Sequence, residues 1–497
     1  MKEVIDMRKL IISELKKMLK SKFHLSLLIF VIVMMVVQIV REDYRAVNAY
    51  EPDLQFSTFD GEPLNTNRDL YVYADQIYSQ YEGTVNEELW QRFMDDYNHL
   101  YTEFTKDENI DAVKMTNFYG EDWKALFERN ERQKLTDKDH QLLQRLNESN
   151  ADYVSVVYDE LSGQEPDQYL LKTFYKDESS LNTLNLIYRG STDLLQEEPL
   201  LSDKSPQQNP WNYPLYCLLH PQTMLIDQLN LSYSENGIPS HQQTNLQLYA
   251  EKQLSQPQTY GSMIPARLFI RHMQSNTMIT IVILAILFAN TFAIEKSTKM
   301  DQLIVATKAG YTRITIAKTL ANLLIAAVLY LILNLIAFLF TVSTVPLHGF
   351  DLPVIPQLNC VLNMFSMPYL SYRQLIISLF SLQCVAIVAI TFTASLVSCL
   401  TKNRFITILI LFSILFIPPL LYPFLDVPEW LSSLSIINYV NLGDLYLFFT
   451  SNARLFDPIL SNGIWVKDLV WIFWLFFAVL ASIGMLIHAK YHIVTTK

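Results

Sequence analysis

EKSTKMDQLIVATKAGYTRITIAK, residues Glu295–Lys318, lies between two long apolar runs, and its reading decides how the rest of the chain is organised. The strip is charged and net basic, with Met300, Leu303, Ile304 and Ile314 recurring at helical spacing. A plain reversal between two membrane helices needs only a few residues. A longer amphipathic strip predicts a helix that lies on the membrane or docks into a partner.

The strip implies a membrane setting, and the composition agrees. Hydrophobic residues make up 51% of the 497 residues, and the mean hydropathy is +0.16. That is too apolar for an ordinary soluble enzyme of this length. Six runs are long enough to cross a hydrocarbon core of about 30 Å: Phe23–Val40, Thr277–Ala293, Thr319–Val342, Leu375–Ser398, Phe405–Leu421 and Leu469–His488. The fifth meets Pro418-Pro419, which predicts a broken outer end. The first is too long and too far from the terminus for a cleaved signal peptide and reads as a retained helix.

Lys and Arg in the short flanks set the orientation. Lys2, Arg8, Lys9, Lys16, Lys17, Lys20 and Lys22 precede the first run, and Lys402 and Arg404 sit in the fourth-to-fifth turn. Together with the strip and Lys490 and Lys497 in the tail, they place every alternate loop on the same side. The expected topology has six spans with both ends cytoplasmic.

Charge divides the chain further. Residues 41–275 carry 38 acids and 19 bases, so that block is at −19 within a total of −11, and the remainder is at +8. The expected fold class is therefore an all-α polytopic membrane protein of six transmembrane helices. A large, acidic, mainly helical (α or α+β) extracytoplasmic domain is inserted between spans one and two. The boundaries are a cytoplasmic amphipathic interfacial helix at 1–22, the first span at 23–40, the outer domain at 41–275, and spans two to six within 276–497. Residues 295–318 form the cytoplasmic strip, and 423–467, apolar and broken, read either as an outer re-entrant segment or as a surface aromatic belt.

In the outer domain, Asn86–Phe104 carries a stripe of Leu89, Phe93, Tyr97 and Leu100; Asp122–Arg129 and Asp137–Leu146 predict shorter helices. Tyr153–Tyr158 predicts a strand, and Leu184–Tyr188 fits either state. Ile264–Met273 reads either as a separate interfacial helix or as a helical extension of span two. Cys217 and Cys360 stand alone in their outer loops, so no disulfide framework is expected, and whether they pair stays open. A bacterial plasma membrane is the simplest setting.

No chemistry-bearing motif survives scrutiny. Leu161-Ser162-Gly163-Gln164-Glu165 looks like a shortened nucleotide-binding loop, but it falls on the outer side, and no G-x-x-x-x-G-K-[ST] phosphate loop occurs. Histidines are scattered without metal-ligand spacing, and no G-x-S-x-G elbow is present. No enzyme active site, metal or cofactor is expected in this chain, nor a nucleic-acid partner. The spans offer neutral polar groups, among them Asn290, Asn334, Gln383, Thr391 and Ser395. These either pack helices together or form the mildly polar wall of a pathway.

The layout resembles the membrane subunits of bacterial ABC exporters of the six-span type-two permease family, over residues 1–40 and 275–497. In that family a coupling helix follows the second span and docks into the ATPase subunit. The recurrent pattern there is similar to Glu295, Leu303-Ile304, Gly310, Arg313 and Lys318 here, whereas Lys299-Met300 stands where many relatives have Gly-Thr. The resemblance implies coupling roles for Glu295, Lys299, Met300, Leu303, Ile304, Lys308, Gly310, Arg313 and Lys318. It implies ABC ATPase subunits carrying ATP and Mg²⁺ as partners, a second permease in a homo- or heterodimer, and contact with membrane lipid. The cargo it implies is an amphipathic peptide, antimicrobial or lipid-like molecule. The other reading is a membrane sensor or scaffold whose outer domain binds a ligand without transport.

Overall fold

The computed structural model describes residues 2–47, 54–149, 154–156, 169–188, 259–305, 310–352, 371–421 and 466–495. It is mostly helical. Helix α1 (Lys2–Lys20) ends at Ser21, whose hydroxyl accepts from His24 N and so opens α2 (Lys22–Asp43). The bundle continues with α9 (Ile264–Ala289), the short α10 (Ala293–Ser297) and α11 (Met300–Val305), then α12 (Gly310–Thr344), α13 (Tyr372–Leu400), α14 (Arg404–Leu421) and α15 (Val466–Thr495). Five helices are long and apolar enough to cross a membrane: α2, α9 with its short continuation, α12, α13 and α15. Helix α14 is apolar too but shorter over Arg404–Ile417, and it runs on through Pro418-Pro419 to Leu421.

Helices α9 and α13 are the most buried. They pack on each other and on α12; α15 lies along α13, and α1 lies against α12 and α2. The domain inserted between α2 and α9 contains α3 (Asn67–Ser79), α4 (Glu87–Phe104), α5 (Ala112–Tyr119), α6 (Trp123–Glu131), α7 (Asp137–Ser149) and α8 (Glu178–Tyr188). Its strands are short. β1 (Gly83–Thr84) pairs antiparallel with β4 (Thr259–Tyr260), and β2 (Val154–Val156) with β3 (Tyr169–Leu171).

Local chemistry explains these starts. Thr66 and Asp69 form a capping box for α3, Asn86 Oδ1 accepts from Leu89 N at 2.8 Å for α4, and Ser371 and Gln374 cap α13 reciprocally. Residues Ile264–Met273, open between two readings in the sequence, are the first turns of α9 and make no separate helix. Residues Leu184–Tyr188 are helical, and the strand predicted at Tyr153–Tyr158 is described only at Val154–Val156. Helices α3 and α5 were not anticipated. Leu161–Glu165, Cys217, Cys360, Lys308 and 423–465 of the proposed re-entrant segment lie outside the described residues. Cys384 and Cys399 are free thiols.

The hydrophobic core does not stop where the inserted domain meets the bundle. One cluster of buried side chains runs from Tyr97, Phe93, Tyr188 and Tyr78 through Tyr260, Met263 and Leu268 to Leu284, Phe288, Leu333 and Ile390. A separate core, Met115, Tyr119, Trp123, Leu126 and Leu143, holds α5 to α7 together.

Candidate functional site

The bundle has two contrasting ends. At the domain end, α2, the start of α9 and the end of α12 meet the inserted domain. His272 on α9 is 3% exposed; its Nε2 lies 3.4 Å from Asp43 Oδ1, and its Nδ1 lies 3.3 Å from Thr341 Oγ1. Arg271 donates to Glu42 at 2.9 Å and to the Tyr71 hydroxyl at 3.1 Å. Burial pushes the Tyr71 phenol up to about 12, so it stays a neutral partner. Asp75 on α3 accepts from Ser262 at 2.5 Å and faces His348 Nε2 at 3.0 Å; burial raises its carboxyl above the usual range, against the opposing pull of Ser262 and His348. Gly349, at φ +73°, lets the segment after α12 approach so closely that an added Cβ would collide with the Ser262 carbonyl.

At the far end, α9 stops at Ala289. Ser398 on α13 bridges the break: its hydroxyl donates to Ala289 O at 2.9 Å and accepts from Phe292 N at 3.0 Å and Ala293 N at 3.1 Å. These would otherwise be orphaned helix-terminal groups. Glu295 on α10 forms an ion pair with Lys318 on α12, and Lys318, 4% exposed, lies over the Phe292 ring. Lys296 donates to the Cys399 carbonyl and lies 3.1 Å from His488 Nε2 on α15. Helix α10 is thus fixed to α12, α13 and α15.

The chain then turns at Lys299, at φ +59°, a left-handed conformation that favours glycine over a side chain with Cβ. Beyond it, Met300 and Leu303 on α11 are exposed at 51% and 68%, and Ile294 on α10 at 49%. Gly310, at φ +71°, opens α12, and Arg313 is exposed one turn later. The predicted coupling residues therefore divide. Glu295 and Lys318 turn into the bundle and hold it together, while Met300 and Leu303 turn outward beside the half-exposed Ile304.

Four of the five predicted pathway residues are closed into helix seams. Asn334 donates to Tyr330 O at 2.9 Å, Gln383 accepts from the Tyr330 hydroxyl, Thr391 donates to Ile387 O at 2.7 Å, and Ser395 accepts from Asn322 at 3.1 Å; all four are buried. Asn290 sits at the end of α9. Sequence reasoning missed the domain-end network. The adjacent Glu42-Asp43 and Arg271-His272 pairs were its only signals, since each follows or begins a span at that end. It also missed Lys296 with His488. Among the described residues no cluster of three metal-ligating side chains occurs. Comparison with family models, with curated proteins and with solved structures finds no match to this chain.

Proposed function

We propose that the chain is the permease subunit of an ATP-binding-cassette exporter, driven by a separate ATPase subunit that holds the ATP and Mg²⁺. In this reading α14 is a sixth span, both termini and the far end are cytoplasmic, and the inserted domain lies outside the cell. The permease pairs with itself or with a sister chain and moves an amphipathic peptide, antimicrobial or lipid-like molecule outward.

The observation that carries the reading is the far end. An apolar strip formed by Ile294, Met300 and Leu303 is exposed on short helices whose base is fixed by Glu295–Lys318 and by Lys296. Apolar side chains left outside on a rigidly anchored element mark a docking surface. The left-handed Lys299, where the resembled family carries glycine, supports placing a turn before the docking helix. Mild-detergent purification of the tagged chain from its host, followed by mass spectrometry, tests the reading. A stoichiometric ATPase is expected, and its loss in Leu303→Glu ties it to the strip. Absence of any ATPase, under conditions that keep a known exporter intact, overturns the reading in favour of a ligand-sensing scaffold. That alternative draws on the continuous core between the inserted domain and the bundle.

A further inference from the structure

At mid-bundle, where α9, α12 and α13 meet, four neutral polar side chains are buried: Asn276 (0% exposed), Tyr330 (2%), Asn334 (6%) and Gln383 (0%). Asn276 Nδ2 donates to Leu333 O at 3.2 Å, Asn334 Nδ2 to Tyr330 O at 2.9 Å, and the Tyr330 hydroxyl to Gln383 Oε1. Those bonds fix which way both asparagine amides point. Three buried atoms then lack a hydrogen-bond partner among the described residues: Asn276 Oδ1, Asn334 Oδ1 and Gln383 Nε2. Unpaired polar atoms at such depth are costly, and native interiors almost always satisfy them.

We propose that this cluster is a binding site for water at bilayer depth. The set is two acceptors and one donor. Water supplies the complement, its O–H groups for the asparagine oxygens and its lone pairs for the glutamine N–H. The cluster carries no formal charge, which fits a small neutral ligand and gives a metal or anion nothing to neutralise. Two threonine hydroxyls of α9 donate to their own helix, Thr277 to Met273 O at 2.9 Å and Thr280 to Asn276 O at 2.7 Å, so their protons are not offered to the asparagine oxygens. Bridging water re-forms its bonds after a small displacement. The inference is independent of the exporter reading and holds equally for a scaffold.

X-ray hydroxyl-radical labelling of the full chain in lipid nanodiscs tests it, because radicals form from water already bound beside a side chain. Phe288, 0% exposed in the same core, serves as the dry reference. Tyr330 is expected to be oxidised at least about fivefold more than Phe288, and Asn334→Leu, or Asn276→Leu should that variant not fold, is expected to bring it down to the reference level and to lower the melting temperature. Labelling of Tyr330 at the Phe288 level in the native chain overturns the proposal. So does a leucine variant that raises the melting temperature and leaves labelling unchanged, since a dry pocket gains from losing an unpaired oxygen.

Discussion

The domain end and the far end of the bundle use opposite solutions for the same problem of finishing a set of helices. At the domain end, charged and aromatic groups from α2, α3, α9 and the segments before α9 and after α12 are closed against one another: Asp43 with His272, Glu42 with Arg271 and Tyr71, and Asp75 with Ser262 and His348. At the far end the polar groups are also satisfied inside, by Ser398 and by the Glu295–Lys318 pair, but apolar Ile294, Met300 and Leu303 are left on the surface. Among the described residues, the polar groups named at the domain end are paired with one another. The other end is anchored by its polar groups and leaves Ile294, Met300 and Leu303 exposed, the contrast on which the proposed docking surface rests.

The largest effect is expected where the far end is anchored. Lys318→Ala leaves Glu295 without its counter-ion and should cost about 3–5 kcal/mol. Thermal unfolding followed by tryptophan fluorescence should show this, and the double variant Glu295→Gln/Lys318→Met should recover most of it. An unchanged melting temperature in Lys318→Ala would mean that the pair is not an anchor. Next, Gly349→Ala tests the close approach at the domain end and should cost about 2–3 kcal/mol, because both the left-handed backbone and the Ser262 carbonyl oppose a Cβ.

A third effect, of about 2 kcal/mol, belongs to the second core of the inserted domain. The Arg129 guanidinium beside Asp139 holds that carboxyl down at about 2. A depressed pKa in the folded state gives stability that is present above the unfolded value near 3.8 and lost as pH falls through about 2. Acid unfolding of α5 to α7 should therefore lose its steep part below about pH 4 in Asp139→Asn, as read by circular dichroism. Asp75, raised by burial, has the opposite sign: its contribution is full in acid and fades as pH rises. The smallest effect on stability should come from Leu303→Glu, within about 0.5 kcal/mol, because the side chain is 68% exposed and packs little against the rest of the protein. If that variant unfolds the protein, the exposed strip is part of the core and the contrast between the two ends collapses.

Length and hydropathy made the long apolar helices legible, and the stripe Leu89, Phe93, Tyr97 announced α4. Helix α3 was hidden because tyrosines and aspartates dominate it, although Thr66 and Asp69 spelled its capping box. Helix α5 likewise sat between readable signals, Asp111 at its start and Gly120 at φ +95° past its end. Residues 184–188 stayed ambiguous because Leu184, Leu186 and Tyr188 alternate like a strand, and only packing against α4 decides for helix. At the candidate site, apolar spacing picked out Leu303, and the family resemblance picked out Glu295 and Lys318. Spacing alone does not say which side chains turn inward. That depends on the break after Ala289 and on Ser398, which comes from a helix more than 100 residues later.

Helix α9 is one uninterrupted element of 26 residues. At about 1.5 Å per residue it is a rod about 39 Å long, and rocking it by about 5° around its middle moves each end by about 1.7 Å in opposite directions. A displacement of that size exceeds the distance tolerance of a hydrogen bond. Ser398, at the Ala289 end of the rod, would then have to change partners, whereas His272, about 7 Å from its middle, would move by only about 0.6 Å and keep Asp43.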